Sequence, residues 1–280
     1  MLSVTGSLAT LGMTHNFRRN AMPTPLRISV VDFLNARPLT WGLLHEPPEG
    51  VEVLRDTPSA CAARLAAGEV DAGLSPSIEY QRIPGLLAVP GLGIAASSEV
   101  RSVLLVSDVS RERIRSVSLD PASRTSAALT RILLKRLYGL EPDYDDRDAN
   151  ADARLIIGDP ALKTRLNGHV VLDLAALWRS FSGHPFVFAF WAIRGGSPGR
   201  GVAEVLRRSW EVGRRRFDDI VRAEAAESGL SEAVVGDYLR HALHYELDGG
   251  DLEGLRLFYR LAVEEGLLER ERPMEYAPAS

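Results

Sequence analysis

At 280 residues the chain is long for one core and comfortable for two lobes, since domains run to roughly 100–200 residues. Hydrophobic residues at 45% and charged residues at 25%, with no low-complexity tract, describe an ordinary folded protein and set disorder aside. A formal net charge of −4 argues against a nucleic-acid-binding surface, and the single Cys61 excludes an internal disulfide framework and fits a reducing compartment; no apolar run approaches the roughly 18–20 residues of a membrane span.

The stretch before Arg27, "MLSVTGSLATLGMTHNFRRNAMPTPL", has no basic start ahead of its short apolar patch and no clear cleavage site, so residues 1–26 read as a loose tail, with Met13 and Met22 as alternative starts. "RISVVDFL" reads as a buried strand, and "NARPLTWGLL" leads through a loop into a short helix. "VEVLRD" is a second strand, after which Thr57 caps a helix that has Pro58 in its first position and Gly68 at its end. "VDAGLSPSIEY" supplies a third strand and a polar turn. Two successive strand–helix–strand crossovers predict a parallel sheet with ligand chemistry at the carboxyl ends of its strands. Asn35 and the Ser75–Ser77 turn fall at such ends.

The β-rich "EVRSVLLVS" opens a second alternation of "SVSLD", a helix from Ser123 to Tyr138, "ARLIIGD", a helix around "PALKTRL", and "HVVLDLAALW". A second long β-rich run, "PFVFAFWAIR", carries the chain back, so two crossings make a two-stranded hinge. The expected division places 27–100 with 191–280 in one lobe and 101–190 in the other. From Pro198 the pattern is helical; Leu252, Leu255, Tyr259 and Ala262 recur at spacings of three and four, Gly266 is placed to stop that helix, and these helices are expected to pack on the first lobe.

The segment "DPASRTSAAL", residues 120–129, sits where a strand hands over to a helix. Three hydroxyls, Ser123, Thr125 and Ser126, share that volume with unpaired helix amides and the positive end of the helix dipole, which makes a receptor for an anion. The alternative is that Ser123 is simply an N-cap. Cys61 reads as a small buried residue, the Arg214–Arg216 run as a solvated helix face, and His241 with His244, three apart on a helix without a third ligand, as structural.

Taken together, "VVDFLNARPL", "GEVDAGLSPSIEY", "RSVLLVS", "SLDPASRTSAAL", "LIIGDPAL" and "DLAALWRSFSGHPFVFAFWAIR" resemble the menaquinone-biosynthesis family that contains chorismate dehydratase and dihydroxynaphthoate synthase, with wording closer to the dehydratase branch. The resemblance implies an α/β fold of the two-lobed, type II periplasmic-binding-protein kind with a two-stranded hinge, used as a cytoplasmic enzyme of the futalosine route. It implies the dehydration of chorismate to 3-[(1-carboxyvinyl)oxy]benzoate. It also implies no metal or other cofactor, and a dianionic small molecule, not a nucleic acid or a membrane, as the partner; a homodimer is left open. On this reading Asn35 and Ser102 are the catalytic candidates, and Ser75, Ser77, Ser123, Arg124, Thr125 and Ser126 hold the substrate, Arg124 more securely through its backbone N–H than through its guanidinium. Asp159 in "IGD" either caps the next helix or faces the cleft, and the cap is the expectation. No histidine but His184 stands near the cleft motifs, so the substrate's own enolpyruvyl carboxylate is a candidate proton acceptor. The rivals are the sibling synthase, an exported solute-binding protein, which needs a secretion signal, and the effector lobe of a transcription regulator, which needs a helix-turn-helix of roughly 60 residues before the first lobe.

Overall fold

The computed structural model describes residues 25–278 except 147, 165 and 198. The expected tail therefore lies, through residue 24, outside the described residues.

The first unit begins with β1 (Leu26–Val31), buried on both faces from Ile28 onward as a strand inside a parallel sheet is. A short turn at 34–36 leads into α1 (Arg37–His45), and β2 (Val51–Asp56) pairs parallel to β1. The hydroxyl of Thr57 accepts the N–H of Ala60 at 3.3 Å, Pro58 opens α2 (Pro58–Ala67), and Gly68 ends it in the left-handed conformation. β3 (Ala72–Pro76) joins β1 in parallel and runs directly into α3 (Ser77–Arg82). Cys61 on α2 is fully buried, and burial pushes its thiol up to about 12.

β4 (Leu86–Ala96) is the element that periodicity missed. Pro90, Gly91 and Gly93 interrupt its pattern, and register irregularities in its pairing with β10 (Phe186–Arg194) accommodate them. With β11 (His244–Glu246) these strands form a six-stranded sheet in the order β11-β4-β10-β3-β1-β2. The second sheet contains β5 (Val103–Ser107), β6 (Ser116–Leu119), β7 (Asp143–Asp146), β8 (Ala153–Ile157) and β9 (Val170–Asp173), in the order β7-β6-β8-β5-β9. The chain crosses between sheets at 97–102 and again at 183–185. On the first sheet both crossings leave from neighbouring strands, because Phe186 of β10 pairs with Ala96 of β4. β10 belongs to the first sheet along its whole length, so a division at 190/191 would cut a strand; sheet membership moves it to before Phe186.

In the second unit α4 (Arg124–Tyr138) follows β6, and α5 (Asp159–Lys163) follows β8. "HVVLDLAALW" is a strand that stops at Asp173, whose carboxylate caps α6 (Leu174–Ser182) by accepting the N–H groups of Ala175 and Ala176. The carboxyl-terminal part holds α7 (Gly199–Arg215), α8 (Phe217–Ser228), α9 (Glu232–Asp237), a single π-turn over Tyr238–Ala242, β11 and α10 (Gly249–Glu264). His241 and His244 thus do not share a helix; His244 stands on β11 and its Nε2 lies 2.8 Å from the buried carboxylate of Asp251. α10 buries Leu255, Tyr259 and Ala262 and touches β10 and α3 on the first side but also α4 on the second, so it spans both units rather than packing on one. Among the described residues no helix is long and apolar enough to cross a membrane.

α7 crosses α1 with backbone almost in contact. A Cβ on Gly213 would lie 1.9 Å from the carbonyl oxygen of Pro38, and one on Gly42 would lie 2.7 Å from the Cα of Ser209. Gly213→Ala is therefore expected to cost about 1–3 kcal/mol by prising the helices apart, read as a lower urea midpoint with unchanged slope; an unchanged midpoint would contradict this packing.

Candidate active site

Between the two sheets lies a cavity of about 600 Å³, mouth included. Val31, Leu74, Pro76, Ile94 and Phe188 wall it from the first unit, and Val103, Ile157 and Gly158 from the second, with Phe33 at the end of β1. Its polar side chains are Asn35, Ser102, Ser123, Thr125 and Ser126; among the described residues lining it there is no Asp, Glu, His, Lys, Arg, Tyr or Cys. Such a wall is apolar enough to strip water from a flat ring and polar at few points, the usual character of a small-molecule site.

The richest polar point is the start of α4. Asp120 closes the preceding turn, its carboxylate accepting the N–H of Ala122 at 2.8 Å. Ser123 occupies the N-cap position yet makes no capping bond; its hydroxyl donates instead to the Ser126 hydroxyl at 2.8 Å. The first amides of α4 thus keep the unpaired state that helix geometry imposes on them, with the positive dipole end facing the cavity. Thr125, buried like Ser126, accepts the N–H of Ile78 from across the cleft at 3.3 Å, which leaves its own proton free to donate. Of the two readings of DPASRTSAAL, the plain N-cap is the one this geometry opposes.

Asn35 lines the same cavity from the 34–36 turn. Its Oδ1 is buried without a partner, an arrangement that costs about 1–3 kcal/mol until a donor arrives. Asp159 does not cap α5; Gly158 holds that position with a φ of 67°, available at low cost only to glycine, and so turns the Asp159 carboxylate across the cleft to accept the N–H of Leu34 at 3.2 Å. Burial raises the Asp159 pKa, against the opposing pull of that N–H. Ser102 closes the wall at the first crossing, and its hydroxyl accepts the Tyr238 phenol proton at 2.8 Å.

Ser75, Ser77 and the Arg124 guanidinium lie off the cavity wall. Ser75 is fully buried with its hydroxyl turned to the carbonyl of Pro76, and Ser77, equally buried, does not line the cavity either. The Arg124 guanidinium pairs with Glu79 at 3.0 Å, which leaves this residue's backbone N–H at the helix start. His184 stands at the second crossing, outside the cavity wall, 3.8 Å from Glu253. For Asp159 the cleft-facing alternative is the one the structure shows, and the glycine before it in "IGDP" is the sign that the carboxylate turns away from its own helix; nothing in the helical stretch around Tyr238 marks that hydroxyl.

Residues 26–264 match the family model described as "Menaquinone biosynthesis". This chain belongs to that family. Among curated proteins of the family it is similar to the chorismate dehydratase of Thermus thermophilus, 31% identical over 237 residues that span 75% of this chain and 86% of the relative. It is also similar to the chorismate dehydratase of Campylobacter jejuni, 33% identical over 165 residues covering 57% of this chain and 63% of that one. Among solved structures, protein AF1704 from Archaeoglobus fulgidus superposes with a TM-score of 0.71 at 15% identity, covering 89% of this chain and 100% of the other. The periplasmic aliphatic sulphonate binding protein SsuA of Escherichia coli superposes with a TM-score of 0.61 at 17% identity, covering 92% and 96%. These likenesses establish the periplasmic-binding-protein-like α/β fold, with its two lobes, for this member of a menaquinone-biosynthesis family.

Proposed function

We propose that this chain is a cytoplasmic chorismate dehydratase, a hydro-lyase that converts chorismate to 3-[(1-carboxyvinyl)oxy]benzoate and water on the futalosine route. The observation that carries the reading is a cavity whose polar groups are all neutral, with an uncapped helix start on one wall and the unpartnered Asn35 oxygen on the other. It is supported by the curated relatives, which carry the name of this activity.

In the reaction the ring proton beside the enolpyruvyl ether leaves, its C–H electron pair becomes a ring double bond, the neighbouring C–O bond breaks, and the departing hydroxyl takes up a proton to leave as water. Aromatisation drives the step, so the protein has to orient and polarise rather than supply a redox partner. One substrate carboxylate sits on the amides of α4 with the hydroxyls of Thr125 and Ser126, the latter oriented by the bond it accepts from Ser123. Asn35 and Ser102 hold the ring hydroxyl, Asn35 through an amide able to donate and accept, Ser102 through its hydroxyl proton. Phe33 and Phe188 flank the flat ring. With no titratable side chain among the described residues of the wall, the enolpyruvyl carboxylate takes the ring proton and the same proton can return to the leaving hydroxyl.

Incubating the full chain with chorismate and following the ring protons by NMR tests this directly. An aromatic enolpyruvyl ether is expected at the same rate with and without EDTA. Recovery of unchanged chorismate would remove the assignment, and loss of turnover in EDTA with recovery on adding a divalent ion would overturn the metal-free mechanism.

A further inference from the structure

Ser102 is fixed on every side but one. The residue before it, Arg101, adopts a φ of 62°, a left-handed conformation that a non-glycine residue keeps only when its surroundings over-determine it. They do. The N–H groups of Val100 and Arg101 both donate to one oxygen of Asp173, at 3.0 and 2.6 Å, while the Arg101 guanidinium pairs with Asp237 at 2.7 Å. The carbonyl of Ser102 accepts the N–H of Gly158 at 2.7 Å. Its hydroxyl meets Tyr238, the residue after Asp237, so two consecutive residues of the crossing are stapled to two consecutive residues at the junction of α9 and the π-turn. π-Turns of this kind recur where a side chain must be re-aimed at a functional site.

We infer that Tyr238 is a positioning residue that sets Ser102 as a hydrogen-bond donor into the cavity. The phenol is 1% exposed and its oxygen lies 2.8 Å from Ser102 Oγ. A phenol is more acidic than an alcohol and is the better donor of the two, so the pair settles with Tyr238 donating and the serine oxygen accepting. Burial raises the Tyr238 pKa, which keeps that proton in place at neutral pH. The serine proton is then excluded from the Tyr238 direction and points into the cavity that Ser102 lines. What it donates to there, the departing ring hydroxyl, rests on the dehydratase reading.

The test is a double-mutant cycle on the full chain with chorismate as substrate. Tyr238→Phe keeps the ring and deletes only the hydroxyl; it is expected to lower kcat by about 10–100-fold, the range for a hydrogen bond to a group gaining charge, with KM and the thermal midpoint close to the parent. Ser102→Ala is expected to lose at least as much, and Tyr238→Phe added to it to lose nothing more, because a residue acting through Ser102 has nothing left to act on. A Tyr238→Phe variant with the parent's kcat overturns the inference, as does a loss that multiplies with that of Ser102→Ala or that tracks a lowered thermal midpoint. A parent chain that leaves chorismate unchanged is a separate result: it removes the dehydratase reading, and the donor role with it.

Discussion

Asn35→Ala is expected to lower kcat for chorismate by about 10²–10³-fold, the cost of deleting one preorganised polar group at a reacting centre, while leaving thermal stability at or slightly above the parent. The second half of that expectation is what makes it diagnostic. Asn35 Oδ1 is buried and unpartnered, so the folded protein loses no bond to it when the side chain goes, and the turn that carries it is held independently by the Leu34 N–H on Asp159. An asparagine that satisfied its own loop would behave in reverse, losing stability first. Turnover and thermal midpoint measured on one preparation separate the two, and a destabilised variant with near-parental kcat would place the catalytic hydroxyl-holding group elsewhere.

What was legible in the sequence was the local part of this site. The α4 start could be read because its ligands are consecutive residues at a strand–turn–helix junction, and Asn35 because it follows an apolar strand at the end where α/β sheets place their chemistry. Ser75 and Ser77 look like site residues in sequence, but β3 runs into α3 without a loop and both are fully buried away from the cavity wall. The partners of Asp159 and Tyr238 lie far away in the chain, Leu34 and Ser102, and no local pattern encodes them; for Asp159 the preceding glycine marks only that the carboxylate leaves its own helix. β4 was obscured by its own Pro and Gly residues, and β11 by its brevity within a helical stretch. The boundary expected at 190/191 falls inside β10, because a β-rich run marks the strand itself and the chain crosses in the short segment before it.

Ser126→Asp is expected to weaken chorismate binding by about 10³-fold, since a fixed negative charge some 4 Å from a bound carboxylate costs about 4 kcal/mol at an effective dielectric of 20. The same charge interacts favourably with the vacant helix start, which further favours the ligand-free state. Ser126→Ala serves as the comparison: it removes a hydroxyl that accepts from Ser123 but leaves the amides of α4 open, so binding is expected to fall by only about tenfold, the lower end for one hydrogen bond to a charged group. Titration calorimetry on the three proteins orders them. If Ser126→Asp binds as tightly as the parent, the carboxylate does not rest on α4, and the hydroxyls of this turn serve the fold alone.

The reaction chemistry is most exposed to the dependence of kcat on pH. A cavity whose described lining holds no titratable side chain, acting on a substrate whose carboxylates are ionised well below neutrality, is expected to give a kcat that stays flat between about pH 6 and pH 9. A kcat that rises or falls through a single ionisation near pH 6–7 would mean that a protein group such as a histidine takes the ring proton, and would contradict substrate-assisted dehydration in this site.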